Sequence, residues 1–189
     1  GIGFLVIREV IDKRFRWKKF SMHTKVVLSM SLFLTVAGTV LLKLTEDITW
    51  MGAFFTSVSA RTAGFSTFPL GSFSNAGLLT VIVLMVIGAS PGSTGGGIKT
   101  TTAFVLFQGI KSSATNTSEK AFRYAVPADA FRKAAVITLL ALGIVLTGTY
   151  ILVILEPGVP FMDALFEISS AFGTVSINSI RIMRWRKPT

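Results

Sequence analysis

The chain has 189 residues, 51% of them hydrophobic, and a mean hydropathy of +0.66. A soluble domain of this length is rarely so apolar, and the apolar residues here form long blocks. The sequence contains no cysteine, which excludes a disulfide framework and a thiolate metal site. The net charge of +10 comes from basic residues beside apolar blocks, a pattern that favours a membrane surface over a nucleic-acid partner.

The chain begins with an apolar run, residues 1–7, that is not a secretory signal because no basic region precedes it. It has the character of the end of a helix, and we therefore expect the sequence to be a fragment. Residues 26–42 and 134–155 are uncharged and apolar. With a few flanking residues, each is long enough to cross a bilayer.

Between these two spans lies a third apolar passage that is interrupted in its middle. Residues 76–89 would form a helix of about 21 Å, too short to cross alone, and the apolar pattern resumes at residues 98–110. Residues 88–97 between them are rich in glycine. Broken backbone at membrane depth is tolerated only where it is buried in protein or lines a water-filled cavity. The interruption is therefore a candidate site.

The distribution of charge predicts the orientation of the spans. Seven basic residues lie between positions 8 and 25, and five more lie between positions 111 and 133. The positive-inside rule places both groups in the cytoplasm. The opposite loops carry acidic residues, with Arg61 as the main basic exception; the acidic residues are Glu46, Asp47, Glu156 and Asp163.

The spans at residues 26–42 and 134–155 both start beside a cytoplasmic basic group and therefore run outward. Each is followed by a half-length apolar helix and a short turn. Residues 50–60 precede a turn of Arg61, Thr62, Ala63, Gly64 and Phe65, and residues 160–172 precede a turn of Gly173, Thr174, Val175, Ser176 and Ile177. The motif Phe-x3-Ser-Ala occurs in both half-helices, which indicates an internal repeat of the kind common in transport proteins.

These turns are candidate quarters of a cation filter. Backbone carbonyls can replace the hydration water of a cation, and the C-terminal end of a half-helix adds negative potential. Gly64 supplies the backbone freedom that inward-pointing carbonyls require, so the carbonyls of Thr62, Ala63 and Gly64 are the predicted ligands. An ordinary re-entrant or extracellular loop is the alternative.

The glycine-rich interruption allows three interpretations. The string Gly92, Ser93, Thr94, Gly95, Gly96, Gly97, Ile98, Lys99 approaches a phosphate-binding loop, but Ile98 puts the lysine out of register and no strand precedes it. A kink for helix packing and a mobile gate are the alternatives, and three consecutive glycines favour the gate. No catalytic constellation is present, so we expect no enzyme activity and no cofactor.

The two motifs together, residues 59–66 and 90–100, closely resemble the membrane subunit of the Trk/Ktr/HKT potassium transporters, and are most similar to the bacterial sodium-dependent Ktr type. This resemblance implies an all-α polytopic membrane protein with four span–pore-helix–filter-loop–span repeats around a pseudo-fourfold pore. It implies potassium as the transported ion, with sodium as an alternative, and a bacterial plasma membrane as the location. It also implies a homodimer of pore subunits, associated with a cytosolic ring of nucleotide-binding regulatory subunits.

On the family pattern, residues 1–16 are the end of repeat two, residues 24–111 are repeat three with a gating loop at 89–98, and residues 112–130 are a cytoplasmic linker. Residues 131–177 begin repeat four, and residues 178–189 are an atypical basic tail. The chain departs from the pattern at Ser176, where the family carries glycine, and in that tail. The sequence therefore predicts a partial potassium-uptake pore; the alternative is a non-conducting truncated protein that only associates with partner subunits.

Overall fold

The computed structural model describes residues 1–14, 16–115, 120–121, 124–125 and 128–177. The helices are α1 (Phe4–Asp12), α2 (Met22–Thr45), α3 (Trp50–Ser59), α4 (Asn75–Val86), α5 (Thr100–Thr115), α6 (Ala128–Leu155) and α7 (Phe161–Gly173). Short 3₁₀ turns cover Trp17–Lys19 and Leu70–Ser72. The predicted tail at 178–189 lies outside the described residues.

The two longest helices, α2 and α6, are apolar enough to cross a membrane. Only 28% of the most apolar window of α2 and 17% of that of α6 is buried, so most of their apolar surface faces outward. The core helix of a soluble protein would bury that surface, whereas a helix in lipid leaves it exposed. The described residues form helices apart from one two-residue hairpin, so the all-α class that the sequence predicts is confirmed.

Hydroxyl side chains begin three of the helices. Ser21 accepts a hydrogen bond from the amide of Thr24 at the start of α2, and Thr49 accepts one from Gly52 at the start of α3. Ser74 does the same for α4. Each cap satisfies an amide that has no partner within its helix.

The third apolar passage is broken between α4 and α5. The connection, residues 87–99, is here called the glycine-rich loop. It is tied across the break by the amide of Ile98, which donates to the carbonyl of Val86 at 2.8 Å, and by the amide of Ala89, which donates to Gly96 at 3.3 Å.

The core forms where the short helices meet the spans. In α4, Val81 and Met85 are fully buried, and Phe166 of α7 is buried with them. Helices α2 and α3 approach closely at Gly38, where a Cβ would lie 2.5 Å from Oγ of Ser57. Small residues at such crossings allow helices in membranes to pack backbone against backbone.

Two features differ from the expectations. A two-residue antiparallel hairpin, Lys120–Ala121 with Tyr124–Ala125, lies in the predicted linker. Asp163, expected at the outer surface, is only 1% exposed. It lies in the first turn of α7, where the helix dipole stabilises a negative charge.

Candidate functional site

The upstream turn, Arg61–Phe65, has an alternating backbone. Thr62 has φ of 88° and Gly64 has φ of 78°, whereas Ala63 between them is not left-handed. The amides of Ala63 and Gly64 both donate to the carbonyl of Ser59, at 3.1 and 3.2 Å. The hydroxyl of Ser59 closes the turn by donating to the carbonyl of Phe65.

The downstream turn, Gly173–Ile177, has the same construction. Thr174 has φ of 54° and Ser176 has φ of 57°. The amide of Val175 donates to the carbonyl of Ser170 at 3.0 Å, and the hydroxyl of Ser170 donates to the carbonyl of Ile177 at 2.7 Å. Ser176 therefore adopts the left-handed conformation that Gly64 adopts in the upstream turn.

Counted from its serine, the downstream copy is one residue longer than the upstream copy. Six positions separate Ser59 from Phe65, and seven separate Ser170 from Ile177. Pairing Thr62 with Thr174 leaves Phe172 and Gly173, the last two residues of α7, where the upstream copy has Arg61 alone, and a Cβ on Gly173 would lie 2.6 Å from the carbonyl oxygen of Met85. The turn can thus pack directly on the end of α4.

The two turns lie against each other. A Cβ on Gly64 would be 2.1 Å from the carbonyl oxygen of Val175, so the two backbones are in contact. A cavity of about 400 Å³ opens beside them. Both turns and the segment after the upstream turn line it, through Gly64, Ser66, Thr67, Phe68, Pro69, Leu70, Ser176 and Ile177.

Arg61 does not lie in an exposed outer loop, as the sequence suggested, because its side chain is 9% exposed. One guanidinium nitrogen, Nη1, donates to the carbonyl of Ser31 in the middle of α2 at 3.2 Å. A second cavity of about 240 Å³ lies beside it, lined also by Thr35 and Val58. Arg61 therefore anchors the start of the upstream turn to a membrane span.

The glycine-rich loop contacts both turns. A Cβ on Gly95 would lie 2.5 Å from Cγ2 of Thr62, so Gly95 packs against the upstream turn. The amide of Gly96 donates to Oγ1 of Thr174 at 2.7 Å, which joins the loop to the downstream turn. The structure thus brings together three segments that are up to 78 residues apart in the sequence.

Within the loop, Gly92 and Gly97 have φ of 74° and 76°. The hydroxyl of Ser93 donates to the carbonyl of Ser90 at 2.6 Å, and Gly92 and Thr94 are exposed. The ammonium of Lys99 donates to the carbonyl of Gly95 at 2.6 Å. Its engagement within the loop, which follows a helix, argues against the phosphate-binding interpretation.

Two residues of this site were not singled out from the sequence. Ser59 and Ser170 close the two turns with equivalent hydrogen bonds. Both belong to the repeated Phe-x3-Ser-Ala motif, so the repeat itself carried the signal. The bond between Gly96 and Thr174 had no such signal, because nothing local in the sequence pairs them.

Comparison with known proteins gives a consistent result. The family model "TrkH: Cation transport protein" matches residues 12–179. The chain is 34% identical over 191 residues to the Ktr system potassium uptake protein B of Bacillus subtilis, covering 94% of this chain and 42% of that protein. It is 32% identical over 194 residues to the potassium/sodium uptake protein NtpJ of Enterococcus hirae, again covering 94% and 42%.

The fold is also found among solved structures. The crystal structure of the potassium transporter TrkH from Vibrio parahaemolyticus matches 98% of this chain and 49% of that chain, with a TM-score of 0.65 and 16% identity. At that identity the similarity establishes the fold alone. The chain spans about two fifths of the length of these two curated relatives.

Proposed function

Because this chain belongs to the TrkH family of cation transport proteins, we propose that it forms part of the pore of a membrane potassium-uptake system. Two of its relatives are named as potassium or potassium/sodium uptake proteins, which supports this substrate class. The observation that carries the proposal is the repeated turn. Two half-helices end in turns with the same alternation of φ, and these turns face each other.

The division of the chain follows from the same repeat. Residues 24–111 contain a span, a half-helix, a turn and a broken second span, and would be repeat three. Residues 131–177 contain a span, a half-helix and a turn, and would begin repeat four. Residues 1–16 would end repeat two, residues 112–130 would form a linker, and residues 178–189 would be a tail.

Potassium would shed water onto backbone carbonyls of the turns. In the upstream turn, the carbonyls of Thr62, Ala63 and Gly64 would be the ligands, with Phe65 completing the turn. A backbone that alternates in the sign of φ can turn successive carbonyl groups to the same side, as rings of carbonyls in cation filters require. Carbonyl dipoles then replace the hydration shell without adding a fixed charge. The downstream turn would contribute through Thr174, Val175 and Ser176.

The glycine-rich loop would be the gate. It lies against both turns, and it breaks the passage that α4 and α5 would otherwise complete. Such backbone is tolerated at membrane depth only where it is buried in protein or lines a water-filled pathway. The components would be Gly92, Ser93, Thr94, Gly95, Gly96, Gly97 and Lys99.

The assembly that we propose rests on the family resemblance. The chain would act in a bacterial cell membrane, as part of a homodimer of pore subunits above a cytosolic ring of nucleotide-binding subunits. The exposed apolar surfaces of α2 and α6 support the bilayer as one partner. The transported ion would be potassium, with sodium as the alternative cation.

Exchange of segments tests the filter. The chain would replace its matching segment in the Bacillus subtilis Ktr system potassium uptake protein B, in a strain that lacks its own potassium uptake. Gly64→Ala would place a Cβ 2.1 Å from the carbonyl oxygen of Val175 and strain a residue with φ of 78°. The left-handed strain alone costs about 1–2 kcal/mol, which lowers the population of the filter conformation about tenfold. We therefore expect potassium uptake to fall about tenfold or more.

Gly143→Ala is the matched control, since a Cβ there has nothing within 4 Å. Equal uptake by Gly64→Ala and Gly143→Ala, with potassium still preferred over sodium, would overturn the filter assignment. Ser176, which stands where the resemblance implies glycine, favours a second candidate, a non-conducting subunit that only associates with partners. That candidate predicts that the chimera takes up no potassium.

A further inference from the structure

The glycine-rich loop meets the two turns by different kinds of contact. Gly95 only packs against the methyl group of Thr62, whereas the amide of Gly96 donates a hydrogen bond to the hydroxyl of Thr174 at 2.7 Å. Thr62 and Thr174 occupy the same position in their turns, and both have positive φ. The bond is therefore not a property of the turn as such, but of its downstream copy.

The peptide group that makes this contact, between Gly95 and Gly96, and the peptide group that follows it are both held within the loop. The carbonyl of Gly96 accepts from the amide of Ala89 at 3.3 Å, and the carbonyl of Gly95 accepts from the ammonium of Lys99 at 2.6 Å. The loop is thus fixed on one side by its own residues and on the other by Thr174.

The close packing explains why glycine stands at this point. A Cβ on Gly96 would lie 2.7 Å from Cγ2 of Thr174 and 2.8 Å from the carbonyl oxygen of Phe172. Any side chain at position 96 would push the loop away from the downstream turn. The loop can donate to Thr174 only because its residue 96 has no side chain.

We propose that Thr174 is a positioning residue for the glycine-rich loop: its hydroxyl holds Gly96 against the filter and so stabilises the closed position of the gate. The gate assignment rests on the function proposed above, whereas the positioning contact stands on the geometry alone. Thr174 then has two roles: its carbonyl is part of the downstream turn, and its hydroxyl binds the glycine-rich loop. Opening the loop would require that one hydrogen bond to break.

Hydrogen exchange tests the contact on the chain itself, in detergent. The variants are Thr174→Val, Thr174→Ser and Thr62→Val; valine keeps the β-branching and removes the hydroxyl. We expect amide exchange in the peptide that contains Gly96 to become about 3- to 10-fold faster in Thr174→Val, the effect of one net neutral hydrogen bond. Exchange should stay near that of the parent chain in Thr174→Ser, and Thr62→Val should not accelerate it.

Parent-like exchange in Thr174→Val, or an equal acceleration in Thr62→Val, would overturn the proposal. Gly96→Ala approaches the same bond from the loop side and does not alter the turn. Faster exchange of the loop in Gly96→Ala supports the proposal, and parent-like exchange contradicts it. All four variants are compared by circular dichroism with the parent chain, so that global unfolding is recognised.

Potassium uptake by the chimera tests the consequence for the gate. Thr174→Val should raise uptake about 3- to 10-fold relative to Thr174→Ser, because the closed loop loses its anchor. Uptake that is equal or lower would show that the bond does not hold a closed gate. If no chimera takes up potassium, the parent sequence included, the proposed function fails, while the exchange result still decides the role of Thr174.

Discussion

At the scale of single residues, the two turns hold side chains in a backbone conformation that usually belongs to glycine. Thr62, Thr174 and Ser176 all have positive φ. A residue with a Cβ in this region costs of order 1–3 kcal/mol, and it persists only where the surroundings determine it. The hydroxyls of Ser59 and Ser170 hold the turns in this conformation, because each donates a hydrogen bond that closes its turn. The strain is therefore built into the turns by neighbouring bonds.

Ser176→Gly should stabilise the chain by about 1 kcal/mol, because glycine adopts φ of 57° without the Cβ penalty. Thermal unfolding in detergent measures the effect. Ser113→Gly, in an exposed turn of α5, is the control of opposite sign, since glycine within a helix costs about 0.5–1 kcal/mol. A loss of stability in Ser176→Gly as well would show that the serine side chain makes a compensating contact.

At the scale of helices, two glutamates each join the end of one helix to the start of another in the same way. Glu9, near the end of α1, accepts from the amide and the hydroxyl of Ser21, the residue that caps α2. Glu46, directly after α2, accepts from the amide and the hydroxyl of Ser74, the residue that caps α4. Each carboxylate fixes the point at which the second helix begins. Both caps therefore carry a charge-assisted bond to a different helix.

The joint at Glu9 predicts a dependence of stability on pH. Hydrogen bonds from Lys13, and then from Ser21 and Thr24, lower the pKa of Glu9 from 4.5 to about 2. Because the folded pKa is the lower one, the ionised carboxylate contributes its stability fully above pH 4.5. That contribution is lost as the pH falls towards about 2.

We expect Glu9→Gln to lower the unfolding temperature at neutral pH and to flatten its decline between pH 4.5 and about 2. Unfolding followed by circular dichroism in detergent gives both quantities. Glu156→Gln, at an exposed position after α6, is the matched control. Parallel pH profiles for Glu9→Gln and the parent chain would contradict the assignment.

At the scale of the whole molecule, the exposed surface is that of a membrane protein. Leu139 and Leu140 of α6 are 70% and 63% exposed, and Leu32 and Phe33 of α2 are 66% and 63% exposed. A soluble monomer rarely exposes contiguous apolar patches of this extent. The same surface is favourable in contact with acyl chains.

Leu139→Arg tests this surface, because residue 139 lies near the middle of α6. A charge at the centre of a membrane helix costs about 2.5–3.5 kcal/mol, so the variant should insert poorly and leave the membrane fraction. Leu155→Arg, at the end of the same helix and 72% exposed, should insert well, because its side chain can reach the interface. Equal insertion of the two variants would mean that α6 does not cross the bilayer.

The sequence predicted the elements better than it predicted their contacts. The spans, the half-helices and the break follow from blocks of apolar residues, which depend only on neighbours in the chain. The burial of Arg61 depends on Ser31, 30 residues away, and the bond between Gly96 and Thr174 joins residues 78 apart. The conformation of Ser176 could be expected only from its match to Gly64. The arrangement of the candidate site is therefore a product of packing between elements.

The additional residue at the end of α7 has a consequence for how the two copies are compared. One residue inserted inside α7 would rotate the preceding helix by about 100° relative to the turn and move Phe166 out of the core. At the last position of α7, the insertion leaves the packing of that helix intact. An ungapped alignment that starts from the half-helices would pair Gly64 with Val175 and Phe65 with Ser176. Correspondence between the two turns must therefore be traced through backbone geometry, with one gap at the helix end.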